Sequence, residues 1–172
     1  YVRNDMFFKA IPRVLAKYPK AKFIFALMAG EPQVEQWIKE LGIRDSVELL
    51  PPLSHVQMAD VFRRAQIVAS PSTHDGTPNS LLEGISCGCF PAAGDLESIR
   101  EWIKPGENGL LFDSNDSHSI ANAICIALEN KDLRINAAAL NQDIILSRAE
   151  YQSNMKRAEE FYAKVVSKHE KT

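Results

Sequence analysis

Residues 67–93 read IVASPSTHDGTPNSLLEGISCGCFPAA, and this stretch decides the fold prediction. The short apolar run from Ile67 to Ser70 predicts a strand. After a loop, the amphipathic segment from Asn79 to Cys87 predicts a helix that ends at Gly88. Phe90 to Ala93 predicts a second short strand. The stretch therefore predicts one strand–loop–helix–strand unit.

The same alternation extends on both sides of this unit. Phe23 to Met28 is apolar on both faces, as expected of a strand inside a parallel sheet. Pro32 to Leu41 predicts a helix with Gly42 as its C-terminal stop, and Val47 to Leu50 predicts the next strand. Downstream, Ser98 to Ile103 predicts a helix, and Leu110 to Phe112 predicts a further strand. Strands and helices of these lengths therefore alternate along most of the chain.

This order predicts an α/β fold with a Rossmann-like, doubly wound parallel sheet and helices on both faces. The sequence has no linker or internal repeat, so residues 1–172 are expected to form one domain. Ligands of such sheets bind beyond the carboxyl ends of the strands. The candidate binding loops are therefore those after Met28, Leu50, Ser70 and Ala93.

The composition narrows the function classes. The chain has 172 residues, 45% hydrophobic and 24% charged, with a formal net charge of −2. This balance is typical of a globular domain and lacks the basic excess of a nucleic-acid binder, so no nucleic-acid partner is expected. No apolar run approaches the roughly 20 residues that cross a bilayer, and the opening residues do not read as a secretory signal. Three cysteines without a framework spacing favour a reducing, cytoplasmic location and inert thiols rather than a metal site.

The loop and helix start between Ser70 and Glu83 carry the strongest functional signal. Gly76 lets the backbone approach a ligand closely, and Asn79 or Ser80 stands where a helix N-cap belongs. Free amide groups at a helix N-terminus attract anions, so we expect a phosphate here. The G-x-G-x-x-G and Walker patterns are absent, which argues against dinucleotide redox chemistry and P-loop hydrolysis.

Two carboxylates bracket this amide-rich stretch. Asp75 and Glu83 are eight positions apart, and each can accept two hydroxyl protons from a vicinal diol. A phosphate site between two such carboxylates suits a nucleotide sugar, with one carboxylate on the ribose and the other on the transferred sugar. A structural interpretation stays open, because Asp-Gly is a common turn and the helix dipole alone favours a glutamate in the first turns.

The segment from Asp75 to Glu83 resembles the Glu, seven residues, Glu motif of the family-4 (group 1) glycosyltransferases. Residues 82–88, Leu-Glu-Gly-Ile-Ser-Cys-Gly, are similar to the family's Leu-Glu-Ala-Met-Ala-Cys-Gly run. Residues 94–102 and 107–112 match its following segments, so the resemblance covers nearly the whole chain. It implies the C-terminal, donor-binding half of the two-domain GT-B architecture, without the N-terminal acceptor-binding domain.

The resemblance also implies roles for individual residues. Glu83 matches the second motif glutamate and is expected to hold the ribose hydroxyls. Asp75 stands where the family's first glutamate contacts the donor sugar, although its side chain is one methylene shorter. The residues expected to meet the diphosphate and the sugar through their backbone are Gly76, Thr77, Pro78, Asn79 and Ser80.

Two further contacts are expected from other parts of the chain. Arg3 lies about one residue from the position of the family's diphosphate-binding lysine, and its alternative interpretation is a solvated basic residue. The loop after Leu50 is expected to face the nucleobase, with Leu53 beside Pro51 and Pro52 as an apolar shelf.

For the whole enzyme, the resemblance implies transfer of a sugar from a UDP- or GDP-linked donor to an acceptor hydroxyl. The anomeric configuration would be retained, and neither a metal nor another cofactor is expected. The acceptor, a glycan, a lipid or a small molecule, would bind the missing N-terminal domain, and peripheral membrane association of the full enzyme stays open. The chain alone is expected to transfer nothing. Two alternatives remain: a sugar-nucleotide epimerase of the same architecture, and a non-catalytic Rossmann-like interaction domain.

Overall fold

The structure is a computed structural model that describes residues 2–76 and 79–169. Its helices are α1 (Asn4–Lys17), α2 (Pro32–Leu41), α3 (His55–Arg64), α4 (Asn79–Ser86), α5 (Glu97–Arg100), α6 (Ser117–Glu129), α7 (Lys131–Arg148) and α8 (Tyr151–His169). Its strands are β1 (Phe23–Phe25), β2 (Val47–Leu49), β3 (Ile67–Ser70), β4 (Phe90–Gly94) and β5 (Leu110–Phe112). None of the described helices is both long and apolar enough to cross a membrane.

The strands form two parallel sheets. In the first sheet β1 pairs with β2, and Phe23 lies opposite Val47. In the second sheet the order is β3-β4-β5, and Ala92 of β4 lies opposite both Ala69 and Leu110. Parallel neighbours need crossover connections, and helices supply them here. The predicted α/β fold with parallel strands and flanking helices is confirmed.

Helices cover the second sheet on both faces. Successive side chains of a strand point to opposite faces, so Ala92 packs into one core cluster and Ala93 into another. The first cluster joins α1, α2 and α6, and its largest fully buried side chains are Phe8, Ile11, Ile38 and Ile120. The second cluster joins α4 to the segment around α5 through Leu81, Leu82, Ile85, Ile99 and Ile103. These two clusters hold the carboxyl ends of the strands in a fixed frame.

The structure corrects the prediction at three points. No pairing among the described residues joins β1 to β3, so the strands form two sheets rather than one. β1 is shorter than the predicted strand from Phe23 to Met28, because the chain turns after Phe25 and reaches a φ of +62° at Leu27. The helix predicted from Ser98 to Ile103 is the shorter α5.

Candidate functional site

A cavity of about 300 Å³ lies at the carboxyl edge of the second sheet. Three loops line it, one following each strand of that sheet. The lining residues are Ser72, Thr73, Asp95, Leu96, Phe112, Asp113, Ser114 and Asn115. The position agrees with the rule that α/β proteins bind ligands beyond the carboxyl ends of parallel strands.

The loop between β3 and α4, residues 71–78, is described as far as Gly76. Hydrogen bonds from outside the loop fix the described part of its backbone. The amide of Arg3 donates to the Pro71 carbonyl at 2.9 Å. The Ser114 hydroxyl donates to the Ser72 carbonyl at 2.9 Å, and the Ser98 hydroxyl donates to the Asp75 carbonyl at 2.8 Å. The N-cap residue of α1, a residue of α5 and a residue of the loop after β5 therefore all hold this loop.

Gly94 explains why these loops can approach so closely. It ends β4, and a β-carbon at this position would overlap the Ser72 carbonyl oxygen and the Ser114 hydroxyl. Ser72 and Ser114 are both buried. A glycine is therefore required here for the loops after β3 and β5 to meet across the end of β4.

The sequence-predicted residues of the β3–α4 loop lie beside the cavity-lining part of that loop. Asp75 is half-buried, whereas Gly76 is exposed, with open space where a β-carbon would stand. Thr77 and Pro78, which were expected to meet the diphosphate, lie outside the described residues. The open side of Gly76 leaves room for a ligand to approach the backbone.

The start of α4 differs from the prediction in one detail. Asn79 and Ser80 are the first two residues of the helix, so neither of them is its N-cap. Asn79 and Glu83 are four positions apart, share one helix face and are both exposed. The Glu83 carboxylate makes no hydrogen bond or ion pair with any residue that the structure describes. It is available to an external ligand.

The opposite face of α4 anchors the helix on β3. Leu81, Leu82 and Ile85 are buried there, and a β-carbon at Gly84 would come within 2.8 Å of the Val68 side chain. The predicted stop is confirmed at Gly88, which has a φ of +92° and whose amide donates to the Ile85 carbonyl. The helix is thus pressed onto the strand whose loop it continues.

Arg3 lies near the cavity but already has partners. It precedes α1, and its guanidinium pairs with both oxygens of Asp5 at 3.0 and 3.1 Å. It also donates to the side-chain carbonyl of Asn115, a cavity-lining residue. The hydrogen bond with Asp5 raises the pKa of Arg3, and the same bond lowers the pKa of Asp5. The charge of Arg3 is therefore largely compensated within the protein.

Leu53 lies in the loop after β2, a strand of the first sheet. It is half-buried between β2 and α3, and the neighbouring residues Pro51 and Pro52 are exposed. The amides of Met28 and Ala29 donate to the Leu50 carbonyl, so the loops after β1 and β2 lie together. Among the described residues, the lining of the cavity comes only from the second sheet and does not include Leu53.

Sequence reasoning missed the loop after β5. Asp113, Ser114 and Asn115 line the cavity, and a usable signal was the polar run that follows the apolar strand Leu110–Phe112. It also missed Asp95, which pairs with Arg100 at 2.6 Å. That hydrogen bond lowers the pKa of the Asp95 carboxyl.

The arrangement combines acceptors with backbone donors. The carboxylates of Asp95 and Asp113 and the side-chain amide of Asn115 line the cavity. The start of α4 presents backbone N–H groups that favour an anion. Burial raises the pKa of the Cys89 thiol to about 11, so this thiol stays protonated at neutral pH and is not a nucleophile. The chemistry suits binding of a polyhydroxylated, phosphorylated ligand.

The comparisons with known proteins agree with this geometry. Residues 3–142 match the sequence profile of the family described as Glycosyl transferases group 1. The chain is 28% identical to a D-inositol 3-phosphate glycosyltransferase of Thermobispora bispora over 133 residues, which is 77% of this chain and 31% of the relative. The chain thus spans about a third of the length of the curated relatives it matches.

Solved structures show the same fold. The C-terminal domain of a group 1 glycosyl transferase from Francisella tularensis superposes with a TM-score of 0.74 at 21% identity, covering 86% of this chain and 79% of that one. An Anabaena protein in complex with UDP-glucose gives a TM-score of 0.81 at 22% identity, covering 92% and 44%. The chain belongs to the group 1 glycosyl transferases, and its fold is that of the C-terminal half of GT-B enzymes.

Proposed function

We propose that this member of the group 1 glycosyl transferases is a single donor-binding domain, residues 1–172, of a retaining glycosyltransferase. It would bind a nucleoside diphosphate sugar, which a longer protein would use to glycosylate an acceptor hydroxyl. The observation that carries the proposal is the cavity at the carboxyl edge of the second sheet, with the loop bearing Asp75 leading from its lining into α4.

The diphosphate would bind between the β3–α4 loop and the start of α4. The side of Gly76 is open, and Asn79 and Ser80 stand in the first turn, where backbone amides have no partner inside the helix. Aligned peptide dipoles add roughly half a positive charge at that end. The backbone stretch proposed to meet the diphosphate and the sugar comprises Gly76, Thr77, Pro78, Asn79 and Ser80. Pro78 has no N–H, so the other four residues would supply the backbone donors.

The two carboxylates would divide the rest of the donor. Glu83, exposed on α4, would accept hydrogen bonds from the ribose hydroxyls. Asp75, half-buried on the loop, would accept from the hydroxyls of the transferred sugar. A carboxylate suits both tasks, because it is an acceptor with two oxygens that match a vicinal diol.

Arg3 and Leu53 would complete the site. Arg3 could contribute charge to the diphosphate only by sharing or leaving Asp5, so we expect the helix amides to be the principal anion-binding groups. Leu53, with Pro51 and Pro52, would support the base. Uracil is the first base to test, with UDP as the nucleotide, because the Anabaena structural neighbour binds UDP-glucose. Guanine, with GDP as the nucleotide, is the second.

In the full enzyme, the diphosphate gains negative charge as its bond to the sugar breaks. Amides already aimed at that position would stabilise the charge without reorganisation and without a metal. The acceptor, a glycan, a lipid or a small molecule, would bind to the part of the protein outside this chain, so the chain alone is expected to give no turnover.

The three free cysteines support a reducing, cytoplasmic location.

The test is calorimetry with UDP and UDP-glucose on the chain and two variants. Glu83→Gln is expected to weaken both ligands, whereas Asp75→Asn is expected to weaken only UDP-glucose. A hydrogen bond to a charged group contributes about 1.5–3 kcal/mol, so each loss should be about 10- to 150-fold. GDP and GDP-mannose serve as the second ligand pair.

Matched controls separate these effects from general loss of charge. Glu160→Gln on α8 and Asp143→Asn on α7 each neutralise an exposed carboxylate on a helix remote in sequence, and neither should change affinity. Circular dichroism confirms folding. Absence of nucleotide binding by the unaltered chain would refute the proposed function, and equal losses for both ligands at Asp75 would refute its assignment to the sugar.

A further inference from the structure

Two serine hydroxyls outside the β3–α4 loop hold its carbonyl groups. Ser114, in the loop after β5, donates to the carbonyl of Ser72, and Ser98, on α5, donates to the carbonyl of Asp75. The Ser114 bond spans 42 positions in sequence and is buried, and the Ser98 bond spans 23 and is partly buried. The two ends of the segment 72–75 are therefore fixed from two different elements, the loop after β5 and α5.

The Ser114 bond forms because β4 ends in a residue without a side chain. Gly94 lets the Ser72 carbonyl and the Ser114 hydroxyl meet directly above the end of β4. Ser72 also lies within 3.3 Å, hydroxyl to hydroxyl, of Ser70 in β3. The start of the loop is consequently held against the sheet, and Ser98 holds the loop at Asp75.

We infer that Ser98 is a positioning residue for the donor site, which acts by fixing the peptide group between Asp75 and Gly76. The Asp75 carbonyl and the Gly76 amide belong to one planar peptide unit, so a bond to the carbonyl also orients the amide. With this unit fixed, the α-carbon of Asp75 is held in place, which reduces the backbone motion that moves its carboxylate. Ser98 would therefore lower the entropic cost of binding the sugar and orient the first amide of the phosphate site.

This inference rests on the proposed function, because the proposal supplies the ligand that Asp75 and Gly76 hold. Ser114 has the complementary task at Ser72, where the bond is buried and its loss also disturbs the fold. Ser98 is the better probe, because its bond is only partly buried and its removal leaves the core clusters intact.

The experiment compares Ser98→Ala, Ser98→Thr and a control, Ser147→Ala, in the 172-residue chain. Ser147 also donates its hydroxyl to a backbone carbonyl, at 2.7 Å, but within α7. The first readout is the NMR order parameter of the Gly76 amide without ligand. It should fall in Ser98→Ala from about 0.85 toward 0.6, recover in Ser98→Thr and stay unchanged in Ser147→Ala.

The second readout is the affinity for UDP and UDP-glucose. Ser98→Ala is expected to weaken UDP-glucose about two- to tenfold and UDP less, and Ser98→Thr should restore most of the loss. In an Asp75→Asn background, Ser98→Ala should cost UDP-glucose affinity less than it does in the unaltered chain, because the group it positions is already altered.

The outcomes separate the inference from the proposal beneath it. If the chain binds neither ligand, the proposed function fails, and the order parameter still decides whether Ser98 fixes the loop. If the Gly76 amide is equally ordered in Ser98→Ala and Ser147→Ala, the inference is overturned. It is also overturned if neither UDP nor UDP-glucose weakens in Ser98→Ala, or if Ser98→Ala and Asp75→Asn act additively on UDP-glucose.

Discussion

The first sheet and the carboxyl edge of the second sheet are stabilised by different kinds of contact. The first sheet is packed by aromatic rings: Phe8 of α1 stacks on Phe25 with ring centroids 4.4 Å apart, and Phe7 meets Phe25 edge-on at 5.7 Å. At the carboxyl edge of the second sheet, Gly94 allows the neighbouring loops to approach closely. Buried hydrogen bonds, such as that from the Ser114 hydroxyl to the Ser72 carbonyl, then hold these loops together. Large rings fill volume on one side, whereas short directional bonds fix loops on the other.

This difference indicates which part of the molecule is adapted to hold a ligand. Aromatic packing tolerates rotation and small shifts, because dispersion and apolar burial depend only weakly on direction. A hydrogen bond weakens steeply when its angle changes, so it fixes the backbone more closely. Loops that must present amides and a carboxylate with fixed geometry are therefore better built by the second kind of contact.

The largest expected effect tests the aromatic packing of the first sheet. Phe8→Ala removes a fully buried ring that also contacts Trp37, and it should lower the free energy of unfolding by about 3–5 kcal/mol. Urea denaturation measures the loss. Phe161→Ala, an exposed ring on α8, is the control and should stay within about 0.5 kcal/mol.

Phe8→Leu sharpens the same test. If Phe8 stabilises the first sheet only by filling volume, the smaller cavity left by leucine should lower the free energy of unfolding by about 1–2 kcal/mol. The NMR shifts of the Ser72 and Ser114 amides should stay unchanged. Large shifts at those amides would contradict the separation drawn between the two sheets.

The next effect concerns the close approach at the end of β4. Gly94→Ala places a methyl group against the Ser72 carbonyl and the Ser114 hydroxyl, and overpacking of this kind should cost about 3 kcal/mol. Chemical denaturation again provides the measurement. Gly76→Ala, where a β-carbon meets open space, is the matched control, and an equal loss in both variants would show that the approach at Gly94 is unimportant.

A buried amide pair provides the third test, also in the second half of the chain. Asn108 donates to the Asn141 side chain at 2.9 Å, and Asn141 donates to the Asn108 carbonyl at 2.9 Å. Asn141→Ala leaves buried polar groups without a partner and should cost about 1–3 kcal/mol in thermal or urea unfolding. Asn136→Ala on the exposed face of α7 should change stability little, and a similar loss there would contradict a specific role for the pair.

The smallest effect concerns the loop after β1, which backbone hydrogen bonds from Met28 and Ala29 to the Leu50 carbonyl join to the loop after β2. Leu27 is 67% exposed and has a φ of +62°, a conformation that costs a non-glycine residue about 1–2 kcal/mol. Leu27→Gly should therefore raise the free energy of unfolding by about 0.5 kcal/mol, after the entropy that glycine adds to the unfolded chain. Leu27→Ala keeps the β-carbon, so a gain in that variant would refute the explanation.

Much of the local structure follows from the sequence. Ser54 caps α3 in a capping box with Gln57, and Gly42 ends α2 in a left-handed conformation, as these residue types predict. The strand before the β3–α4 loop and the helix after it also lie where predicted. The roles of Asp75 and Glu83 toward a donor stay a prediction.

The errors have local causes. β1 ends early because Ala26 and Leu27 form a turn that their apolar character does not reveal. Asn79 and Ser80 are suitable cap residues by type, but the helix already includes them. The contact of Arg3 with the diphosphate stays a prediction, and Asp5, two residues away, already pairs with its guanidinium.

The sequence by itself determined the alternation of strands and helices, the stop of α4 at Gly88 and the similarity to the family, because all of these depend on residues close together along the chain. Only the tertiary structure decided that Ser98 and Ser114 hold the β3–α4 loop and that Asn115 joins Arg3, 112 positions away. The physical reason is that hydrophobic periodicity and capping report a residue's near neighbours. A hydrogen bond between distant loops exists only after the sheet has brought the carboxyl ends of its strands together.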